Sequence, residues 1–406
     1  MAIDAPPKGR PQEFQLTRPI ELGCFALCVA QVVFLATAFV QGNWLFDTDG
    51  QVIATDFVNV WAGGRQALDG NPAAAYDVAV HKTAEDAALG QRFEGEYPWI
   101  YPPTFLFVAA ALALLPYLPA YAIWVFATFP AYVAAVRAIV GHPVGILFAC
   151  AYPGVLSNLM VGQNGFLTAA LLGGFLVAIE HRPLLAGVLL GLLSFKPHFG
   201  ILLPLALIAG SCWRVIAAAA ATVAVLVAAS TLVFGWESWQ AFFQALPAAS
   251  QATLTEGRGD FAKLQSVFTA TRWLGGGEGL AWALQGLLVG VLAIGLCVIW
   301  RSRMSFDMKA AALAIGALLA TPYLFLYDLV ALAVPMAFLI RAGGQGGFLP
   351  GEWPGLGISC LLIFIFPLVK APVGLAAIIV VGALIIRRVL VERGPARLAA
   401  SKAPAR

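Results

Sequence analysis

The sequence predicts an all-α protein that crosses a membrane many times. Composition is the first reason: 61% of the 406 residues are hydrophobic and only 11% are charged, whereas a soluble domain carries about 25% charged residues. The second is clustering. Leu22 to Val40, Val215 to Phe234 and Ala281 to Trp300 contain no charge, and each is close to the ~20 residues a helix needs to cross a bilayer. The third is physical. Within lipid every backbone N–H and C=O must be satisfied inside the segment, so these runs must be helical.

Residues 1–19 read as a short cytoplasmic lead carrying Lys8, Arg10 and Arg18. A first span over 20–41 follows, too long for a signal-peptide core and with no small-residue cleavage site after it; it is read as retained. Residues 43–102 are polar, with nine acidic side chains against Arg65, Lys82 and Arg92, and form the first outer loop. Helical spacing over Val58 to Leu68 and Val78 to Leu89 predicts that this loop is structured, with short helices on the membrane surface.

Apolar segments then occupy 103–117, 120–138, 144–158, 163–179, 184–209 and 215–235. A second outer loop, 236–278, is flanked by Trp236, Trp239 and Trp273, residues that favour the interface. Further apolar segments lie at 279–300, 309–321, 327–341, 356–369 and 372–386. Alternation gives twelve crossings, so the expectation is a bundle of about 10–12 transmembrane helices forming one domain over 20–386. Lys196-Pro197 marks a break within 140–210, where broken or re-entrant helices are expected. Residues 387–406 form a basic tail with Arg387, Arg388, Arg393, Arg397, Lys402 and Arg406 against Glu392. Basic residues at both ends place both termini in the cytoplasm, facing acidic lipid headgroups rather than nucleic acid. The six cysteines show no metal or redox spacing and read as small buried hydrophobes.

Several polar clusters interrupt this pattern. Asp56, early in the first loop, serves either as a general base whose basicity is raised by desolvation or as the N-cap of the helix beginning at Phe57. Tyr101 heads a Tyr-Pro-Pro, where two prolines suit a helix start; its hydroxyl reads as a belt residue or a ligand contact. Gln163 and Asn164, with Asn158 upstream, either cap helix ends or bond the hydroxyls of a polar ligand. Lys196, deep in an apolar stretch, calls for an anionic partner, and a phosphate fits. Tyr327 and Asp328 follow Thr321-Pro322; a salt bridge between Lys196 and Asp328 would also account for both charges. Asp47 and Asp49 form a weak metal pair, for which a solvated turn is the plainer reading. No phosphate-binding or dinucleotide loop and no H-E-x-x-H occurs. With no large soluble domain to bind a nucleotide sugar, an enzyme of this kind would draw an activated substrate from the membrane itself.

Taken in order, Asp56 with Trp61, Gly70-x-Pro72 followed by Tyr76-Asp77, Tyr101-Pro-Pro, Gly162-Gln163, Lys196-Pro197 and Thr321-Pro322 resemble the polyprenol-phosphate-sugar-dependent glycosyltransferases of family 87, a group with the GT-C fold. The resemblance implies a GT-C-like bundle in the plasma (inner) membrane. It also implies transfer of a hexose, mannose first, from a polyprenyl-phosphate-sugar donor to a lipid or glycan acceptor on the outer face. Asp56 takes the family's role of base. Donor phosphate contacts are expected from Lys196 and Arg65, and sugar or acceptor contacts from Tyr101, Gln163, Asn164, Tyr327, Asp328 and Asp77. No cofactor or resident metal is expected. The family's late histidine is replaced here by the Tyr327-Asp328 region. The alternatives are a secondary transporter or flippase, which would show internal repeats, and a membrane scaffold.

Overall fold

The computed structural model describes residues 18–258 and 260–393. The basic residues Lys8, Arg10, Arg397, Lys402 and Arg406 lie outside the described residues. The chain opens with α1 (Arg18–Val40) and an irregular turn, then builds the first loop from α2 (Phe57–Leu68), a 3₁₀ turn at Pro72–Tyr76 and α3 (Val78–Leu89). These two loop helices fall where the sequence predicted them. Asp77 accepts hydrogen bonds from the backbone N–H of Ala79 and Val80 and so caps α3, which ends on Gly90 in the left-handed region.

After the Pro103–Phe105 turn come α4 (Leu106–Leu112) and α5 (Tyr117–Val140). The loop is pressed directly on the bundle here. A Cβ on Gly63 would strike the Trp99 ring at 2.7 Å, and one on Gly64 would overlap the Ala109 carbonyl. Only glycine lets the α2 and α4 backbones approach this closely.

α6 (Val144–Ala151) and α7 (Gly154–Val161) are one apolar run bent by 62°. Pro153, lacking an N–H, sits at the corner. Then follow α8 (Gly165–Ala178), α9 (Pro183–Leu192), two 3₁₀ turns around Lys196-Pro197, α10 (Leu203–Ala209) and α11 (Trp213–Phe234). The second loop is itself largely helical. It holds α12 (Trp236–Ser250), a π-turn at Gln251–Thr255 and α13 (Val267–Trp273), the last with a Ser266–Thr269 capping box. The chain closes with α14 (Glu278–Arg301), α15 (Phe306–Ala320), a 3₁₀ segment at Leu326–Leu332, α16 (Ala333–Gly346), α17 (Glu352–Phe364), α18 (Phe366–Val369) and α19 (Val373–Arg393).

Among the described residues six helices are long and apolar enough to cross a membrane, seven if the bent pair counts as one span. The other apolar segments of the expected ten to twelve are shorter helices, over Pro103–Leu112, Gly165–Ala178, Pro183–Phe195, Pro197–Ala209 and Glu352–Phe364. Prolines at 183, 197 and 204 and the polar turn at 163–164 cut the middle of the chain into half-length pieces. Burial orders the bundle. Leu326–Gly346 is 78% buried and central, while Arg18–Val40, Trp213–Phe234 and Glu278–Arg301 are 11% buried and form the outer wall. The basic tail also needs correction at its start. α19 continues through Arg387 and Arg388, and the Arg388 guanidinium turns inward, donating to both Glu352 oxygens and to the Gly347 carbonyl.

Candidate active site

Asp56 lies one residue before α2 in helical backbone geometry, yet its carboxyl makes no capping bond. Its neighbours aim it elsewhere. Thr55 shares a 2.8 Å hydrogen bond with the Tyr117 hydroxyl. Phe57, fully buried, packs edge-on against Tyr121 and tilts against Tyr117. With both neighbours fixed, the carboxyl turns toward the α7–α8 turn, where Gln163 Nε2 donates to Asp56 Oδ2 at 3.5 Å.

That turn is shaped by Gly162 at φ +68°, where a Cβ would meet Tyr121 and Phe57. Trp124 Nε1 donates to the Gly162 carbonyl at 3.0 Å. A short polar chain runs from it. Asn164 Nδ2 donates to the Tyr101 hydroxyl (2.8 Å), which donates to Gln163 Oε1 (3.0 Å), leaving the Gln163 amide to face Asp56. Tyr101 is fixed from the first loop. Tyr76 Oη donates to its carbonyl (2.8 Å), Asn59 Nδ2 to that of Pro98 (2.9 Å), and the buried Glu85 carboxyl accepts from Tyr97 N (3.1 Å). Asn164 Oδ1 is buried without a protein partner. A buried acceptor left open is costly and marks a place for a ligand or water donor.

Lys196 and Asp328, 3% and 1% exposed, form a direct ion pair. The other Asp328 oxygen accepts from Phe325 N at 3.3 Å, which starts the Leu326–Leu332 turn. Lys196 Nζ lies 5.2 Å from the centre of the Tyr327 ring. Tyr327 stacks on Phe325, and its hydroxyl has no hydrogen bond among the described residues. Tyr327 and Tyr101 are both within electrostatic range of Asp56 and of Asp328. Five elements far apart in sequence therefore meet at one place.

Asp56 retains partial solvent contact although protein surrounds it. Burial pushes its pKa up to about 6, against the opposing pull of the Gln163 hydrogen bond and the Lys263 ammonium. A carboxyl with that pKa is a stronger base than an exposed aspartate and still ionised near neutrality.

Other candidates lie elsewhere. Arg65 sits nine residues further along α2, about 13 Å by helical rise, exposed and forked onto Asp69 (2.6 and 3.2 Å). Asp77 is occupied as a helix cap. Asp47 accepts from the backbone N–H of Asp49 and Gln51, closing its own turn. Among the described residues no three His, Cys, Asp or Glu side chains stand together as metal ligands would.

Lys263 escaped the sequence reading because it stands in what looked like loop. The faint signal was the alternation Ala262-Lys263-Leu264-Gln265 just ahead of a Ser N-cap, the pattern of a short extended segment. Leu264 forms an antiparallel bridge with Phe325, Gln265 N donates to the Leu324 carbonyl, and Leu326 N donates to that of Lys263.

The model of glycosyltransferase family 87 matches residues 99–322, more than half of the chain. The chain belongs to glycosyltransferase family 87. It is a membrane glycosyltransferase, so the transporter and scaffold readings fall away. The family 87 match includes Tyr101, Gln163, Asn164, Lys196 and Lys263; Asp56, Tyr327 and Asp328 flank it. No curated protein and no solved structure matches the chain.

Proposed function

We propose that the protein moves a hexose, mannose first, from a polyprenyl-phosphate-sugar to a hydroxyl of a lipid or glycan acceptor, on the outer face of the inner membrane. The observation that carries this reading is Asp56. It is a carboxyl of raised pKa, turned away from its own helix and held by Gln163 beside Tyr101, Asn164 and Tyr327. A sugar on a lipid phosphodiester is already activated, so no nucleotide is needed. Asp56 takes the proton of the acceptor hydroxyl as that oxygen attacks the anomeric carbon. The bond from that carbon to the phosphate oxygen breaks, its electron pair stays with the departing phosphate, and one displacement inverts the centre. The open Asn164 carbonyl and the Tyr327 hydroxyl suit sugar hydroxyls. No cofactor is assigned to this transfer.

Lys196 enters with its charge already offset by Asp328, so it holds the Tyr327 turn in place rather than offering a free cation. The test is transfer of radiolabelled mannose from polyprenyl-phosphate-mannose into membrane lipids at matched protein levels. Wild type is expected to transfer and Asp56→Asn to fail. Near-normal transfer by Asp56→Asn would remove Asp56 as the base.

A further inference from the structure

A departing phosphate needs a cation, and the cations on the elements around the site are mostly committed. Lys196 is bound to Asp328. Arg258 pairs with Glu256 at 2.7 Å and reaches Glu96 at 4.0 Å. Arg272 donates to the carbonyls of Thr255 and Gly276. Lys263 differs. It is exposed, has no hydrogen bond or ion pair among the described residues, and still acts on the Asp56 carboxyl.

Its setting separates it from an ordinary surface lysine. Ala262 and Leu264, on either side, are 3% and 0% exposed. The backbone is stitched to Leu324 and Leu326 on one edge. Gln265, fully buried, receives Gly374 N at 2.8 Å and donates to the Ala262 carbonyl at 2.7 Å. A free ammonium thus stands on a rigid strut, one backbone hydrogen bond from the Tyr327 turn. It makes no ion pair with Asp56, yet its charge reaches that carboxyl. An uncommitted, preplaced cation next to a base is what a reaction that develops anionic charge requires.

We propose that Lys263 binds the phosphate of the lipid-linked donor. The assignment rests on the transfer reading above. The Lys263 ammonium meets the phosphodiester of the bound donor. It then bears the extra charge that appears on the phosphate oxygen when the sugar–oxygen bond breaks, while the acceptor proton goes to Asp56. The Tyr327 turn, bonded to the Lys263 carbonyl through Leu326 N, keeps the sugar-facing Tyr327 hydroxyl and this cation in one frame.

The test uses the full chain in nanodiscs with farnesyl phosphate as probe, and farnesol, inorganic phosphate and phosphatidylglycerol as controls. Wild type is expected to hold farnesyl phosphate more tightly than farnesol. Lys263→Ala should weaken that binding about tenfold, as loss of a charge-assisted contact does, with farnesol binding unchanged and Lys263→Arg recovering most of the loss. Full farnesyl phosphate binding by Lys263→Ala overturns the assignment and leaves Asp56 and the transfer reading standing. Equal wild-type affinity for farnesyl phosphate and farnesol overturns both. Inorganic phosphate or phosphatidylglycerol competing as well as farnesyl phosphate, with the same Lys263 dependence, overturns the lipid-linked donor as the occupant.

Discussion

The two helices of the first loop start from the same local signal, an aspartate just before an apolar-periodic run. The outcomes differ. Asp77 adopts extended geometry and its carboxyl closes onto the N–H groups of Ala79 and Val80. Asp56 adopts helical geometry and leaves its own helix end uncapped to face Gln163. What separates them is tertiary. Asp77 is exposed and bonds only its own helix end among the described residues. Asp56 has Thr55 and Phe57 pinned on either side by Tyr117 and Tyr121, so its side chain is turned toward Gln163. A helix end that forgoes about 1 kcal/mol of capping marks a carboxylate held for another use.

The sharpest way to break this contrast is Asp56→Asn. Transfer should fall by about 10²–10⁴, the usual contribution of a positioned base, measured with labelled donor at matched protein levels. Stability should not fall with it. The Asp56 pKa is raised, so its ionised form is the less stable one in the fold. The stabilising effect is fully present below the usual aspartate range and lost as pH rises through about 6. Above that pH the asparagine variant should therefore melt at or slightly above wild type.

Next in size comes the neighbouring charge. Asp328→Ala strands the Lys196 ammonium in an apolar core and should cost about 3–5 kcal/mol, seen as loss of folded protein by size-exclusion chromatography. A Lys196→Met, Asp328→Leu pair should recover folding, because two buried charges then leave together. Recovery of folding without recovery of transfer would show that the pair also positions Tyr327.

The pH profile is smaller in effect but more specific. Transfer should decline as pH falls through about 6, where Asp56 takes up its proton. A decline centred near the ordinary aspartate range would mean that the carboxyl is solvated during turnover. Last is Asp77→Ala. It should cost about 1 kcal/mol of stability, read as a small drop in melting temperature, with transfer per folded molecule unchanged. Loss of transfer there would erase the contrast between the two aspartates.

Much of the architecture was legible in the sequence because lipid imposes simple rules. The charge-free runs became α1, α11 and α14, and 3.6-residue periodicity located α2 and α3. Legibility failed where a proline could either break a span or begin a new one. In 184–209 the break expected at Lys196-Pro197 is there, but Pro204 starts a further short helix that the sequence did not single out. The site was legible only as fragments. Asp56, Tyr101 and Gln163 each stood out as polar residues beside apolar runs, but nothing local says that Tyr101 bridges Gln163 and Asn164. Arg65 looked useful as a basic residue near a candidate base, and only the structure shows it forked onto Asp69, one turn on. Lys263 drew no notice because its importance comes from the Leu324–Leu326 segment sixty residues later, to which its backbone is bound.

The missing side chains of Gly63 and Gly64 have a consequence for how the enzyme turns over. With backbone lying on backbone at Ala109 and the Trp99 ring filling the space above Gly63, α2 cannot rock without forcing atoms into overlap. Asp56 is therefore a fixed jaw. On the proposed transfer, loading and release then fall to the donor and the acceptor, while Asp56 keeps its place between cycles.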